Sequence, residues 1–388
     1  MKSHLNRWIL ATAVVLMAAG QLSAATLTAS ASFGGGDGWR SPGEVLAGDT
    51  LGTGPGGIYS YLGTGSLERG LAYNSTTSNL ILVSRSTAGN GIRVLNGATG
   101  ADVGSLNQGS GVITGGTFTT STVGVADDGA IYVANLQTNV SSGAFKVYQW
   151  TNEAAAAPTT FFNSTIPGYA GTPRNGDSLD VFGAGAGTTI VAGTSGAVGY
   201  SLITSSGATA VTSFVPAGPA TGDFRLGVTF AGSANDVWGK QTGASPAAAP
   251  LRLTSYLGAA GTGLGSGTLT SGGEMAMDYA VVGGVPVLAV VDANNSTLRV
   301  YDVTTPTAPV LLVSGTTTSG VLAGNGNAVG SVKFGAISGT GATIYAMSTN
   351  QGIQSFELRG VGIPEPTSAM LLSFAGVSLT WLRRRTCC

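Results

Sequence analysis

Histidine and cysteine are almost absent from this sequence, and that absence excludes more chemistry than any motif in it suggests. The single histidine is His4, and the two cysteines, Cys387 and Cys388, are the last residues of a 388-residue chain. Between the ends there is no imidazole and no thiol. A Ser-His-Asp triad, a Cys-His dyad, and zinc or copper centres built on His or Cys are therefore ruled out there, and no disulfide supports that span. Charge is scarce too, at 9% of residues where about 25% is usual. Lysine occurs only four times. Five of the 17 basic residues and one of the 18 acidic ones lie in the terminal segments, so positions 26–363 carry twelve against seventeen, a net of −5. A mildly acidic span without a basic stripe argues against nucleic acid as a partner. The hydrophobic share of 43% and the small net charge do not describe a disordered chain. No apolar run of about 20 residues occurs between the two ends, and helical periodicity is missing from 26–362.

What is abundant is small or strand-forming. Glycine supplies 63 residues, roughly double its usual share, and apolar runs are short. Such a chain is most simply all-β, with many turns that need φ > 0. Six segments share one plan: a small-residue strand, a strand rich in Ile and Val, then a strand of alternating aromatic or aliphatic positions. They are 70–73 (GLAY), 80–83 (LILV) and 92–95 (IRVL); 123–126 (VGVA), 131–134 (IYVA) and 145–150 (FKVYQW); 179–182 (LDVF), 189–192 (TIVA) and 197–200 (AVGY). The pattern continues in 225–230 (RLGVTF), 236–238 (DVW) and 251–254 (LRLT); 275–279 (MAMDY), 287–291 (VLAVV) and 298–302 (LRVYD); 332–335 (VKFG), 343–346 (TIYA) and 353–356 (IQSF). Segment starts near 70, 123, 178, 225, 275 and 331 are about 50 residues apart, the spacing of a four-stranded propeller blade. The expectation is an all-β fold, a β-propeller of six or seven four-stranded blades over 26–362. Inner strands crowded at the axis would take Gly and Ala, and middle strands buried on both faces would take Val and Ile. Asp127, Asp128 and Gly129, like Asn96 and Gly97, read as hairpin turns. A pair of β-sandwiches or a β-solenoid is the rival architecture. Within 26–69, the stretch 59–62 (YSYL) is the candidate for a strand that closes the ring.

The two ends read differently from the middle. Lys2 and Arg7 precede the apolar run 8–20 (WILATAVVLMAAG), and small residues at Ser23 and Ala25 follow. That order is a basic region, an apolar helix and a cleavage site, so residues 1–25 are expected to be a signal peptide cut by signal peptidase after Ala25. The alternative is an uncleaved anchor, against which 13 apolar residues argue. At the other end, Pro364, Glu365 and Pro366 precede an apolar stretch to Leu382, then Arg383, Arg384 and Arg385. A helix over 367–382 would be roughly 24 Å long, short of the ~30 Å hydrocarbon core. The arginines should stay cytoplasmic, and the prolines keep the preceding tripeptide extended and accessible.

This tail resembles the PEP-CTERM sorting signal of Gram-negative bacteria, whose pattern is Pro-Glu-Pro, an apolar transmembrane helix and an arginine cluster. The resemblance covers about 25 residues, 363–388, and departs from the usual arginine-rich finish in ending on Thr386, Cys387 and Cys388. It implies an exosortase-type membrane enzyme that recognises Pro364, Glu365 and Pro366, removes the helix, and passes the protein to the cell surface or extracellular matrix. An ordinary C-terminal anchor is the alternative. The stretch 147–153 (VYQWTNE) is similar to one in uncharacterised propeller-like domains of PEP-CTERM proteins, and 300–302 (VYD) to the third strand of other propellers.

For the exported domain, the leading expectation is a non-catalytic platform, not an enzyme, with neither cofactor nor metal, contacting exopolysaccharide or another protein. The alternative is an extracellular carbohydrate-active enzyme using two carboxylates. Asp177, Asp180, Asp223, Asp236, Glu274 and Asp278 stand near blade starts and are the candidates. The run 292–296 (DANNS) begins like a calcium loop but lacks its Gly and closing Glu, so it reads as a hairpin turn. The run 34–38 (GGGDG) is no phosphate loop, since neither helix nor Lys follows. Trp39, Trp150 and Trp238 sit in apolar patterns that suit core packing better than sugar stacking.

Overall fold

Short aliphatic runs broken by glycine turns leave each strand only its neighbours in sequence as partners, and the chain pairs accordingly. The computed structural model describes residues 25–51, 57–86, 91–216, 218–241, 243–258 and 260–362. Six antiparallel sheets form in sequence order. Their innermost strands are Glu68–Asn74, Phe118–Val125, Arg174–Phe182, Gly227–Phe230, Glu274–Val282 and Gly330–Ser338. Each touches the next, and the last touches the first, so the sheets stand as six blades of a β-propeller around an axis. Blades 1 to 6 are numbered here in that order. The upper mouth of the axial channel lies where inner strands begin, the lower mouth where they end.

The second strand of each blade is the one buried on both faces. In blade 1, positions 80–84 are fully buried, and in blade 5 so are 287–292. Apolar clusters fill the space between successive blades, and burial of each large side chain there contributes roughly 1.5–3 kcal/mol. Val83, Val133 and Trp150 pack between blades 1 and 2. Ile190, Tyr132 and Phe145 pack between blades 2 and 3, and Val287, Ile344 and Phe356 between blades 5 and 6. At the axis, space is so tight that some positions admit no side chain. A Cβ on Gly227 would lie 1.9 Å from the Met275 carbonyl oxygen, and one on Gly124 2.4 Å from Val181 Cγ2.

Among the described residues there are six blades, as expected. Two expectations are corrected in detail. The ring is closed not by 59–62 but by Thr26–Ala29, which pairs with Ile353–Arg359 as the outer strand of blade 6. Tyr59, Tyr61 and Leu62 instead fill the apolar cluster shared by blades 6 and 1, because aromatic bulk there is worth more than another exposed edge strand. In the turn after Asn96 the left-handed residue is Gly100, φ 77°, rather than Gly97. The Asn96 side chain accepts from the amides of Ala98 and Thr99 and leaves Gly100 to reverse the chain. The Asp127, Asp128, Gly129 turn forms as expected, with Gly129 at φ 85° and Asp128 accepting from the Ala130 amide. The expected signal peptide and the expected transmembrane helix fall on 1–24 and 363–388, outside the described residues. Among the described residues, no helix is long and apolar enough to cross a membrane.

Candidate active site

One position in each inner strand falls at the same level of the channel. Pairing with the second strands aligns Ala72, Gly124, Asp180, Thr229, Asp278 and Lys333. Blades 1 and 2 thus offer almost no side chain at this level, and blades 3 to 6 offer four polar ones. Those four meet. Lys333 Nζ donates to Asp180 at 2.6 Å and to Asp278 at 3.1 Å. Thr229 Oγ1 lies 3.0 Å from Asp180 and 3.4 Å from Asp278. The remaining carboxylate oxygens accept from backbone amides of the next blade, Phe230 for Asp180 at 3.0 Å and Phe334 for Asp278 at 2.8 Å.

The cluster is buried but not sealed, its side chains being 11% (Asp180), 12% (Asp278) and 14% (Lys333) exposed. That exposure faces the lower mouth, a funnel of about 400 Å³ whose wall includes Tyr73, Phe182, Phe230, Tyr279 and Phe334. Toward the upper mouth the channel narrows to about 20 Å³, room for about one water. Burial alone would push the Lys333 ammonium down; the charges of Asp180 and Asp278 outweigh it and hold the group above the ordinary lysine range. Burial pushes the Asp278 carboxyl up to about 6, helped by the charge of Asp180 and opposed by that of Lys333. One acid that keeps a proton near pH 6, a second beside it, and a fixed cation between them can give and take protons at a bound ligand.

The other four candidate acids are engaged elsewhere. Asp177 pairs with Arg174 and Arg225, Asp223 with Arg252, and Glu274 with Arg299 while accepting from Tyr301. Asp236 accepts from Ser233 within its own turn. Asp292 caps the turn of 292–296 through the Asn294 amide and meets Arg299, as a hairpin should. Among the described residues no three or more acids come together in a group that could hold a metal ion. Trp150 and Trp238 are core residues, fully buried; Trp39 is half-buried and donates to the Gln351 carbonyl. Of the sorting residues, Pro364, Glu365, Pro366, Arg383, Arg384 and Arg385 lie outside the described residues, and Ala25 directly precedes the closing strand. Sequence reasoning missed Lys333 and Thr229. A lysine between Val332 and Phe334 in an apolar strand, in a chain with four lysines, was the available signal.

No family model matches this chain, and no curated protein does. Solved structures share its fold. A DUF4623 family protein from Bacteroides eggerthii is 18% identical, with a TM-score of 0.56, covering 76% of this chain and 71% of that one. The PQQ-bound aldose sugar dehydrogenase of Streptomyces coelicolor is 14% identical, with a TM-score of 0.44, over 82% of this chain and 99% of that one. A gluconolactonase of Xanthomonas campestris is 11% identical, with a TM-score of 0.46, over 76% and 85%. The expectation that this chain is not an enzyme is corrected here. Propellers described as enzymes stand among its structural neighbours. The channel also joins two of the candidate carboxylates.

Proposed function

We propose that the chain is an extracellular carbohydrate-active enzyme whose lower-mouth funnel receives a sugar and whose acids, Asp180 and Asp278, work as a pair. The observation that carries this reading is their convergence, from two different blades, on one ammonium at the floor of an aromatic-walled cavity. Both acids contact the same Lys333 ammonium, at 2.6 and 3.1 Å, which is closer together than the ~6.5–9.5 Å of inverting glycosidases allows and leaves the retaining chemistry as the one to test. In that chemistry an Asp180 oxygen attacks the anomeric carbon while the glycosidic C–O bond breaks and the Asp278 proton passes to the leaving oxygen. Water then displaces Asp180 and returns a proton to Asp278. Tyr73 and Tyr279 at the funnel wall supply apolar faces with polar tips. The test is release of reducing ends from a panel of polysaccharides and aryl glycosides. Asp180→Asn and Asp278→Asn should each lower the rate about 10²–10⁴-fold with the circular dichroism unchanged. A chain inert on the whole panel, or variants as fast as the parent, would remove the reading.

We propose further that the protein is exported and then processed at its C-terminus, first by signal peptidase and then by an exosortase-type enzyme acting at Pro364, Glu365 and Pro366. One placement supports this: a cut after Ala25 leaves the closing strand Thr26–Ala29 intact at the new N-terminus. Mass spectrometry of the termini, comparing the parent with a Pro364→Ala/Glu365→Ala variant, should find a shortened C-terminus only in the parent. The same C-terminus and the same location in both would end the sorting proposal.

A further inference from the structure

The upper mouth carries a second cluster, of the opposite charge. Arg174 of blade 3 and Arg225 of blade 4 pair with Asp177 there, and Arg69 and Arg85 of blade 1 lie within electrostatic reach of Asp177 and Arg174, Arg69 lining the same end of the channel as Asp177. Arg174 and Arg225 take both oxygens of that carboxylate, at 2.5 and 3.0 Å. The other nearby acid, Glu68, is buried and accepts from the amides of Gly63 and Asn350. Arg69 and Arg85 form no ion pair among the described residues. They are held in place nonetheless. Arg69 Nη2 donates to the Ser66 carbonyl at 2.7 Å. Arg85 Nη2 donates to Ser121 Oγ at 2.7 Å, and its guanidinium lies 3.6 Å from the centre of the Phe118 ring. Burial, then the neighbouring charge of Arg69, brings Arg85 down to about 9; burial likewise lowers Arg69, and the charge of Arg174 lowers both. Two donors, Nε of Arg69 and Nε of Arg174, are buried without a hydrogen-bond partner.

Four cations against two committed carboxylates leave an excess of positive charge on pre-placed, half-buried side chains. Unmatched buried donors and like charges held together both cost stability, and a bound anion would relieve both. We propose that the upper mouth is a binding site for a compact, doubly charged oxyanion, a phosphate or sulfate group, held by Arg69, Arg85 and Arg174. Planar guanidinium forks suit such oxygens. The channel below is too narrow for such an anion, with room for about one water, so the anion would sit outside the constriction, apart from the acids at the lower mouth, and the site stands whether or not the chain hydrolyses glycosides.

The test is titration calorimetry on the full chain at constant ionic strength, with inorganic phosphate, sulfate, methyl phosphate and a sulfated polysaccharide as ligands and chloride as the control. Saturable binding of phosphate or sulfate is expected. Arg85→Met and Arg69→Met should each weaken it about tenfold or more. Asp177→Asn removes the competing carboxylate while keeping its shape, and should tighten binding several-fold. That variant keeps the proposal testable if an arginine variant fails to fold. Methyl phosphate or the polysaccharide binding at least tenfold tighter than the free ion would identify an ester as the natural form; equal affinities would identify the free ion. No saturable binding by any of the four ligands, or the same affinity in the parent and in Asp177→Asn, would overturn the proposal.

Discussion

Replacing Lys333 with Met is expected to cost about 3–5 kcal/mol, because it strips the cation they share from two buried carboxylates while leaving their desolvation in place. Asp180 and Asp278 would then face each other across Thr229 with only hydroxyl and amide donors left. The loss should depend on pH in a direction that can be worked out. A carboxyl whose folded pKa is raised contributes stability that is fully present below the unfolded value and lost as pH rises through the folded one. For Asp278 in the parent that window runs from the ordinary 3.8 up to about 6. Without the lowering effect of Lys333 its upper edge moves higher, so the variant should recover stability on acidification over a wider range than the parent. Changing all three groups together, Asp180→Asn, Lys333→Met and Asp278→Asn, should restore most of the loss, since no uncompensated charge remains. Urea unfolding at several pH values reads all of this. A Lys333→Met variant within about 1 kcal/mol of the parent at pH 7 would show that solvent in the funnel, not the ammonium, balances the acids.

The parts of this molecule that sequence makes legible are those whose physics is local. Middle strands such as 80–83 and 287–291 are buried on both faces and announce themselves as Ile, Val and Leu runs. Inner strands announce themselves by the small residues that crowding at the axis demands, Gly124 and Gly227 among them. Those two signals, repeating every 50 residues or so, were enough for six blades. Outer strands carried no comparable signal. Gly261–Gly267 pairs along most of its length with Leu251–Tyr256, yet it reads as glycine, threonine and serine around a single leucine, because Thr262, Leu264 and Ser266 meet water while Gly261, Gly265 and Gly267 lie so close to Phe214, Pro306 and Pro309 that a Cβ would not fit. The closing strand was missed for another reason: Thr26–Ala29 is exposed except for Leu27 and unremarkable, and its partner lies at the far end of the described chain. The site divides the same way. Asp180 and Asp278 were visible as two of six candidate acids, but nothing local says which pair converges. That depends on the level each inner strand reaches at the axis, as does the arrival of Lys333 between them.

Deleting residues 26–40 is expected to abolish cooperative folding of the ring. Four of these residues supply the outer strand of blade 6, in register from Thr26 on Arg359 to Ala29 on Phe356. Trp39 and Arg40 pair with Gln354 and Ile353 of the same blade, and Phe33, between the two pairings, reaches the seam of blades 6 and 1. Phe33 is fully buried in their shared apolar cluster, where loss of a phenyl ring costs about 3–5 kcal/mol. Arg40 is also fully buried. It pairs with Asp49 at 3.0 Å, donates to the Gly100 carbonyl and lies 4.0 Å from the centre of the Tyr59 ring. Asp49 in turn accepts from the amides of Leu46 and Asp102, so Arg40 ties the N-terminal segment to the outer strand of blade 1. Removing it leaves that carboxylate buried and uncompensated, a cost of about 3–5 kcal/mol again. Either loss is a large fraction of the 5–15 kcal/mol typical of a folded domain, and the deletion takes both along with the strand pairing. Calorimetry of the deleted chain should show no cooperative transition. Phe33→Ala and Arg40→Met should each lower the urea midpoint without changing the slope. A deleted chain that still melts in one transition, within a few degrees of the parent, would mean that contact between the inner strands of blades 6 and 1 closes the ring unaided. The N-terminal segment would then be a cover over that seam rather than its clasp.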